Sequence, residues 1–346
     1  MNLLRYRNSK IFLFIKIFIT FFLLIFIYKK GVIDFKNFDK LYMNIFFLIT
    51  AFGAFFLAII LSSLRFWVLL HGQEIPLSYI NVFNINMISL LMVTILPGGG
   101  LTRDITKAML IIRSKEILKS RVILTIINDR VIGIVSLFTV LCILGILILY
   151  HSILLLKIKS SLFSYLFLII FCFLFISFSL FILYSKLNLK DVMISRFYFY
   201  INDFILLVKK KYFLVIFAFL LSILSSIAML ASIVVIGISF AYPSLKMIDY
   251  AFAGGMAMVS NFLPLTPGGL GIGEVTFNTV CHWLSQNKQI ENYGNSFLMF
   301  RVISFIYSLY GIFPLFFRFF RESHGAKKMP PYAASQSQDR KLPWIR

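Results

Sequence analysis

Pro264-Leu265-Thr266-Pro267-Gly268-Gly269-Leu270-Gly271-Ile272-Gly273-Glu274 sits inside an apolar stretch running from Met247 to Trp283. Proline removes a backbone donor and glycine lets the chain turn sharply, so a simple helix cannot run through it. An earlier apolar stretch, Ile80 to Leu96, breaks in the same way at Leu96-Pro97-Gly98-Gly99-Gly100-Leu101-Thr102-Arg103-Asp104. In both, an acid follows at one interval: Asp104 is seven residues after Pro97, and Glu274 seven after Pro267. The two prolines are 170 residues apart, close to half of the 346-residue chain. Two breaks of one design in two halves are the pattern of an inverted repeat. Convergent turn chemistry is the alternative, since no other convincing similarity links the halves.

Outward from these breaks the chain is apolar almost everywhere. It is 60% apolar and 17% aromatic but only 14% charged, too little charge to cover a soluble domain of this size. Full spans are expected at Ile11 to Tyr28, Leu41 to Leu64, Val122 to Tyr150, Leu162 to Tyr184, Tyr212 to Phe240 and Phe297 to Phe317, each near the ~18 to 20 residues that cross a bilayer as helix. The expected fold class is an all-α polytopic membrane protein: about six full transmembrane helices plus two Pro-Gly-broken re-entrant segments. Arg5, Arg7 and Lys10 precede the first span as in a signal peptide, but no small-residue cleavage site follows, so it reads as a retained anchor. Cys142, Cys172 and Cys281 lack the paired spacing of a metal site or disulfide framework.

The formal charge of +21 could suggest a nucleic acid partner, but the bases lie in short loops between spans. With the termini cytoplasmic and both broken stretches entering and leaving on one side, most Lys and Arg fall on the cytoplasmic side, Arg65 and Arg103 to Arg121 among them. That bias supports cytoplasmic termini, with the first break entering from the cytoplasm and the second from outside; the expected location is a bacterial-type inner membrane. Residues 1–321 form the membrane domain; from Glu322 the composition turns to Ala, Pro, Ser, Gln and bases, and 322–346 reads as a disordered polar tail.

Non-helical backbone inside a membrane leaves amides unsatisfied unless protein, water or substrate meets them, so such breaks line cavities. Beyond each glycine run a half-helix is expected, whose positive end can hold an anion such as a lipid phosphate. An acid in the first turn is also what ordinary capping predicts, so Asp104 and Glu274 carry both readings. Lys107 lies three residues after Asp104 on the same helical face, and Arg130 and Arg301 fall inside spans. Asp129 and Arg130 are adjacent and point about 100° apart, so they should pair with other helices rather than with each other. A structural ion-pair network and a headgroup site both fit these charges. Asp249, beside Lys246, reads as a helix cap, and the four histidines form no ligand pair.

At these residues the chain resembles the lysylphosphatidylglycerol synthase transmembrane region family, also called flippase-like, from the first span to about Arg321. The most specific part is Thr266-Pro267-Gly268-Gly269-Leu270-Gly271 with Glu274. Weaker matches are Leu96-Pro97-Gly98 with Asp104 and Lys107, then Asp129-Arg130 with Gly133, and Arg301. Where the family commonly carries Gly-Gly before the first acid and Arg at the position of Lys107, this chain has Thr102-Arg103 and a lysine. The resemblance implies a domain that helps move lipids or lipid-linked molecules between leaflets. In longer relatives it precedes a soluble aminoacyl-transferase domain; only a short polar tail is seen here, so no aminoacyl-lipid synthesis is expected.

The substrate-binding residues expected are Pro97, Gly98, Asp104, Lys107, Asp129, Arg130, Pro267, Gly268, Gly269, Gly271, Glu274 and Arg301, with no catalytic residue, metal or cofactor. The partners expected are membrane lipids and an envelope-lipid biosynthetic enzyme, and no nucleic acid. Two competing functions stand beside translocation. Embedded acids next to bases could serve a membrane-bound transferase, although no Walker-type loop or metal-nucleotide acid pair is present. A non-transporting scaffold for envelope-lipid enzymes would use the breaks only for packing.

Overall fold

The computed structural model describes residues 45–96, 99–114, 119–154, 211–240, 245–261, 270–285 and 292–317. Eight α-helices and no strand occur among them. In chain order they are α1 (Ile45–Gly72), α2 (Tyr79–Ile95), α3 (Gly100–Ser114), α4 (Lys119–Leu154), α5 (Tyr212–Ser239), α6 (Met247–Ser260), α7 (Ile272–Leu284) and α8 (Gly294–Leu309). After a turn at Tyr310 and Gly311 the last is helical again to Phe317. α1, α4, α5 and the 24-residue stretch Gly294–Phe317 are long and apolar enough to cross a membrane, and α2 is a shorter apolar helix. The spans expected at Ile11 to Tyr28 and Leu162 to Tyr184, and the 322–346 tail, lie outside the described residues.

The order long, short, break, short, long occurs twice, as α1 to α4 and as α5 to α8. Punctuation sets the breaks. Leu96, just before Pro97, is extended at φ −96° and ψ 138°, as the residue before a proline must be, and this stops α2. Gly99 at φ 54° and Gly271 at φ 88° then turn the chain into α3 and α7, in backbone regions open to glycine at little cost. α2 packs against α3, and α6 against α7.

α1 and α5, the equivalent first helices of the two halves, form the most extensive helix pair among the described residues. Lys211 Nζ donates to the Gly72 carbonyl at 2.9 Å, Ser225 Oγ to Ala58 at 3.0 Å and Ser232 Oγ to Ala51 at 2.9 Å. Residue numbers fall along α1 as they rise along α5, so the two helices run antiparallel in one register. Equivalent helices that run in opposite directions make the repeat an inverted one. Ala51, Ala58, Ala218, Ser225 and Ser232 are all buried, the small residues that let two helices approach closely in a membrane.

The sequence reading ends the first of these spans at Leu64 and sets Arg65 on the cytoplasmic side. α1 instead continues to Gly72, because Arg65 finds its partner inside the protein. The helix stops in a Schellman motif: Glu74 takes φ 62°, its N–H donates to the His71 carbonyl at 3.0 Å, and the Ile75 N–H donates to Leu70 at 2.9 Å. Leu70 and Ile75 belong to one buried cluster, the apolar contact that accompanies this cap.

Outside, α5 presents Phe213, Ile216, Phe217, Leu220, Leu224 and Ile227 at helical spacing, all exposed. Inside lie Ser222, Asn86, Lys107, Asn128 and Asp129, all buried. An apolar exterior with the charged and polar groups kept inside suits a chain solvated by lipid. The central core is aromatic: Phe55 stacks on Tyr307 and meets Phe300 edge to face, and Phe277 stacks on Phe297.

Candidate functional site

A cavity of about 310 Å³ lies where the two halves meet. Arg65 of α1, Arg103, Asp104 and Lys107 of α3, and Asp129 and Arg130 of α4 line it. Apolar side chains complete the wall, among them Phe55, Leu90, Leu137, Met229, Met258 and Phe300. Each charge at membrane depth costs at least ~2.5 to 3.5 kcal/mol on insertion scales, so partners are required.

Asp129 has two. Its Oδ1 accepts from Arg65 Nε at 2.7 Å and its Oδ2 from Lys107 Nζ at 3.1 Å. Arg65 also donates to Ser222 Oγ of α5 at 2.6 Å, which ties the first half to the second. The Lys107 ammonium rests 4.2 Å from the centroid of the Phe66 ring, a further contact for a desolvated cation. Helical spacing sets Lys107 beside Asp104, but tertiary packing gives it to Asp129. Gly133 makes room for this cluster: a Cβ there would lie 3.2 Å from Arg65 Nη1.

Asp104 pairs with Arg130, one turn of α3 inward from its glycines. Asp129 and Arg130 thus take partners on other helices and not each other, as their spacing predicts. Asp104 does not cap α3. Glu274 in the second half caps its helix and pairs at once: its Oε2 accepts the Gly271 N–H at 2.8 Å, closing the start of α7, while its Oε1 pairs with Arg301 Nε. Arg301 also donates to Asn261 Oδ1 at 2.9 Å and lies over the Phe297 ring. In each half, then, the acid after the break holds an arginine of the next long helix, at nearly the same sequence distance.

The two pairs differ in access. Asp104 and Arg130 side chains are 23% and 29% exposed and line the cavity, whereas those of Glu274 and Arg301 are 1% and 14% exposed and are not in its wall. Asn261, which Arg301 holds, is in the wall. Gly271 stands at the start of α7, away from the cavity lining. Pro97, Gly98, Pro267, Gly268 and Gly269 lie outside the described residues.

Arg65, Arg103, Asn86 and Asn261 are cavity residues that the sequence reading did not select. Arg103 Nη2 donates to Asn86 Oδ1 at 2.7 Å, and Asn86 Nδ2 to Ser63 Oγ at 2.7 Å. The signal for Arg65 was its setting: Leu64 precedes it and Phe66 and Trp67 follow, an apolar context at odds with a surface loop. Asp249 is the cap that its position predicts, its Oδ2 accepting the Lys246 N–H at 2.8 Å. Among the described residues no group of three or more His, Cys, Asp and Glu is placed to hold a metal ion.

Comparison with known proteins agrees with this architecture: the model of the family described as "Lysylphosphatidylglycerol synthase TM region" matches residues 13–323. No curated protein and no solved structure matches.

Proposed function

The chain belongs to the lysylphosphatidylglycerol synthase TM region family and is a multi-pass membrane protein linked to lipid metabolism; from that premise we propose that it moves a phospholipid or lipid-linked molecule between the leaflets of a bacterial inner membrane. The observation that carries this reading is the cavity itself, whose largely apolar wall carries six charged side chains. A headgroup needs such a place at membrane depth, while acyl tails stay in lipid. The inverted repeat supports it further. Two halves that run in opposite directions about one cavity can exchange roles, and the unequal exposure of Asp104·Arg130 and Glu274·Arg301 is what one such state would look like.

In this reading both termini are cytoplasmic, the two broken helix pairs are re-entrant, and the chain carries out no catalytic step. Its partners are membrane lipids and an enzyme of envelope-lipid synthesis that supplies them. The test is leaflet redistribution of headgroup-labelled lipids in proteoliposomes, comparing wild type with Glu274→Gln and Arg301→Ala at matched protein density. Exchange faster than in empty vesicles, abolished by both substitutions, is the expected outcome. Rates equal to empty vesicles across anionic, zwitterionic and aminoacylated lipids would overturn translocation in favour of a scaffold.

A further inference from the structure

Among the described residues Arg103 is the cavity cation that no carboxylate pairs with directly. Asp129 is shared by Arg65 and Lys107, and Asp104 is taken by Arg130. Among the described residues Arg103 forms no ion pair. Its Nη2 donates to the neutral Asn86 side chain, and its buried Nε has no hydrogen-bond partner there. The wall therefore carries four cations against two carboxylates. A guanidinium presents its donors as a planar fork that matches carboxylate and phosphate oxygens. Removed from water without a carboxylate in direct contact, it is a strong attractor for an anion. Two further features point the same way. The start of α3 reaches the wall at Gly100, bringing the positive end of a helix to the same space. Phe55, Leu90, Met229 and Met258 line it too, so the occupant must be compatible with apolar surface.

We infer that Arg103 selects the ligand of this cavity, holding a phosphate ester whose headgroup is net anionic and disfavouring headgroups that bring their own cation. A zwitterionic or aminoacylated headgroup would set its ammonium against the surplus of positive charge, while a phosphoglycerol or polyprenyl-phosphate group would neutralise it. The inference rests on the translocation reading for the use of the site, and on the geometry of Arg103 for its selectivity.

Purified full-length protein in detergent is titrated with phosphatidylglycerol bearing a fluorescent acyl chain and with phosphatidylcholine bearing the same chain. The wild type is expected to prefer the first by about tenfold or more, the worth of one charge-assisted contact. Arg103→Gln should bring the ratio near one and Arg103→Lys should restore most of it. Arg121→Gln should leave it unchanged, because that side chain is exposed and faces Glu74 away from the cavity. Displacement of labelled phosphatidylglycerol by glycerol 3-phosphate or inorganic phosphate would assign the site to a soluble phosphate ester, and no displacement would assign it to a lipid headgroup. A wild type without the preference overturns the inference, as does an Arg103→Gln protein that keeps it. Proteoliposome exchange of the same two lipids separates the two readings. Arg103-dependent binding without exchange upholds the selectivity and removes translocation, whereas exchange indifferent to Arg103 does the reverse.

Discussion

Asp129 shows how much one buried carboxylate can hold. It is buried, and it compensates Arg65 on α1 and Lys107 on α3 at once. Replacing it by Asn keeps the shape and leaves the buried Lys107 and the largely buried Arg65 without their paired carboxylate. Removing one partner of a buried pair costs about 3–5 kcal/mol, so Asp129→Asn should lower the unfolding midpoint in detergent more than Asp104→Asn, whose pair is partly exposed. Equal shifts for the two variants would mean that Asp129 is hydrated and the cluster loose. The neighbouring residues divide by legibility. Asp129, Arg130, Glu274 and Arg301 stood out in the sequence because each charge lies in or beside an apolar run. Arg65 was misplaced, since a charge at the edge of an apolar run looks the same whether the helix ends there or continues inward.

Helix ends were legible wherever proline or glycine made them. Leu96 before Pro97, and the turns at Gly99 and Gly271, follow from steric rules acting within a few residues. The end of α1 at Glu74 did not, because no glycine marks that left-handed position and the cap is secured by Leu70 and Ile75 packing in the core. Between elements, the α1–α5 contact depends on smallness at the seam. Ser225→Leu puts a bulky side chain where Ser225 is 8% exposed and bonded to the Ala58 backbone. Overpacking of this kind costs about 1–3 kcal/mol. Thermal unfolding of the purified variant should register that loss, and an unchanged midpoint would show that these two helices are not in close contact.

For the molecule as a whole, the opposed directions of α1 and α5 are the feature on which the inverted repeat stands. In a background without Cys142, Cys172 and Cys281, the pairs Ala58→Cys with Ser225→Cys and Ala51→Cys with Ser232→Cys should cross-link under mild oxidation. The mixed pair Ala51→Cys with Ser225→Cys should not, being displaced by seven residues, or about 10 Å along a helix. Cross-linking of the mixed pair alone would replace the antiparallel register with a different one. The register also brings Ser222 of α5 to Arg65 of α1, so the cavity is built by both halves.

Composition and punctuation were sufficient for the membrane, the helical class and the two breaks half a chain apart, because lipid solvation and backbone sterics act through local sequence. The resemblance to the family rested on the same local motifs, and the match over residues 13–323 bears it out. The partners of the charges were another matter. Lys107 sits three residues from Asp104 yet serves Asp129; Arg103 lies beside an acid and pairs with none among the described residues. Which acid answers which base depends on distances between helices brought together from remote parts of the chain, and only the folded packing sets those distances.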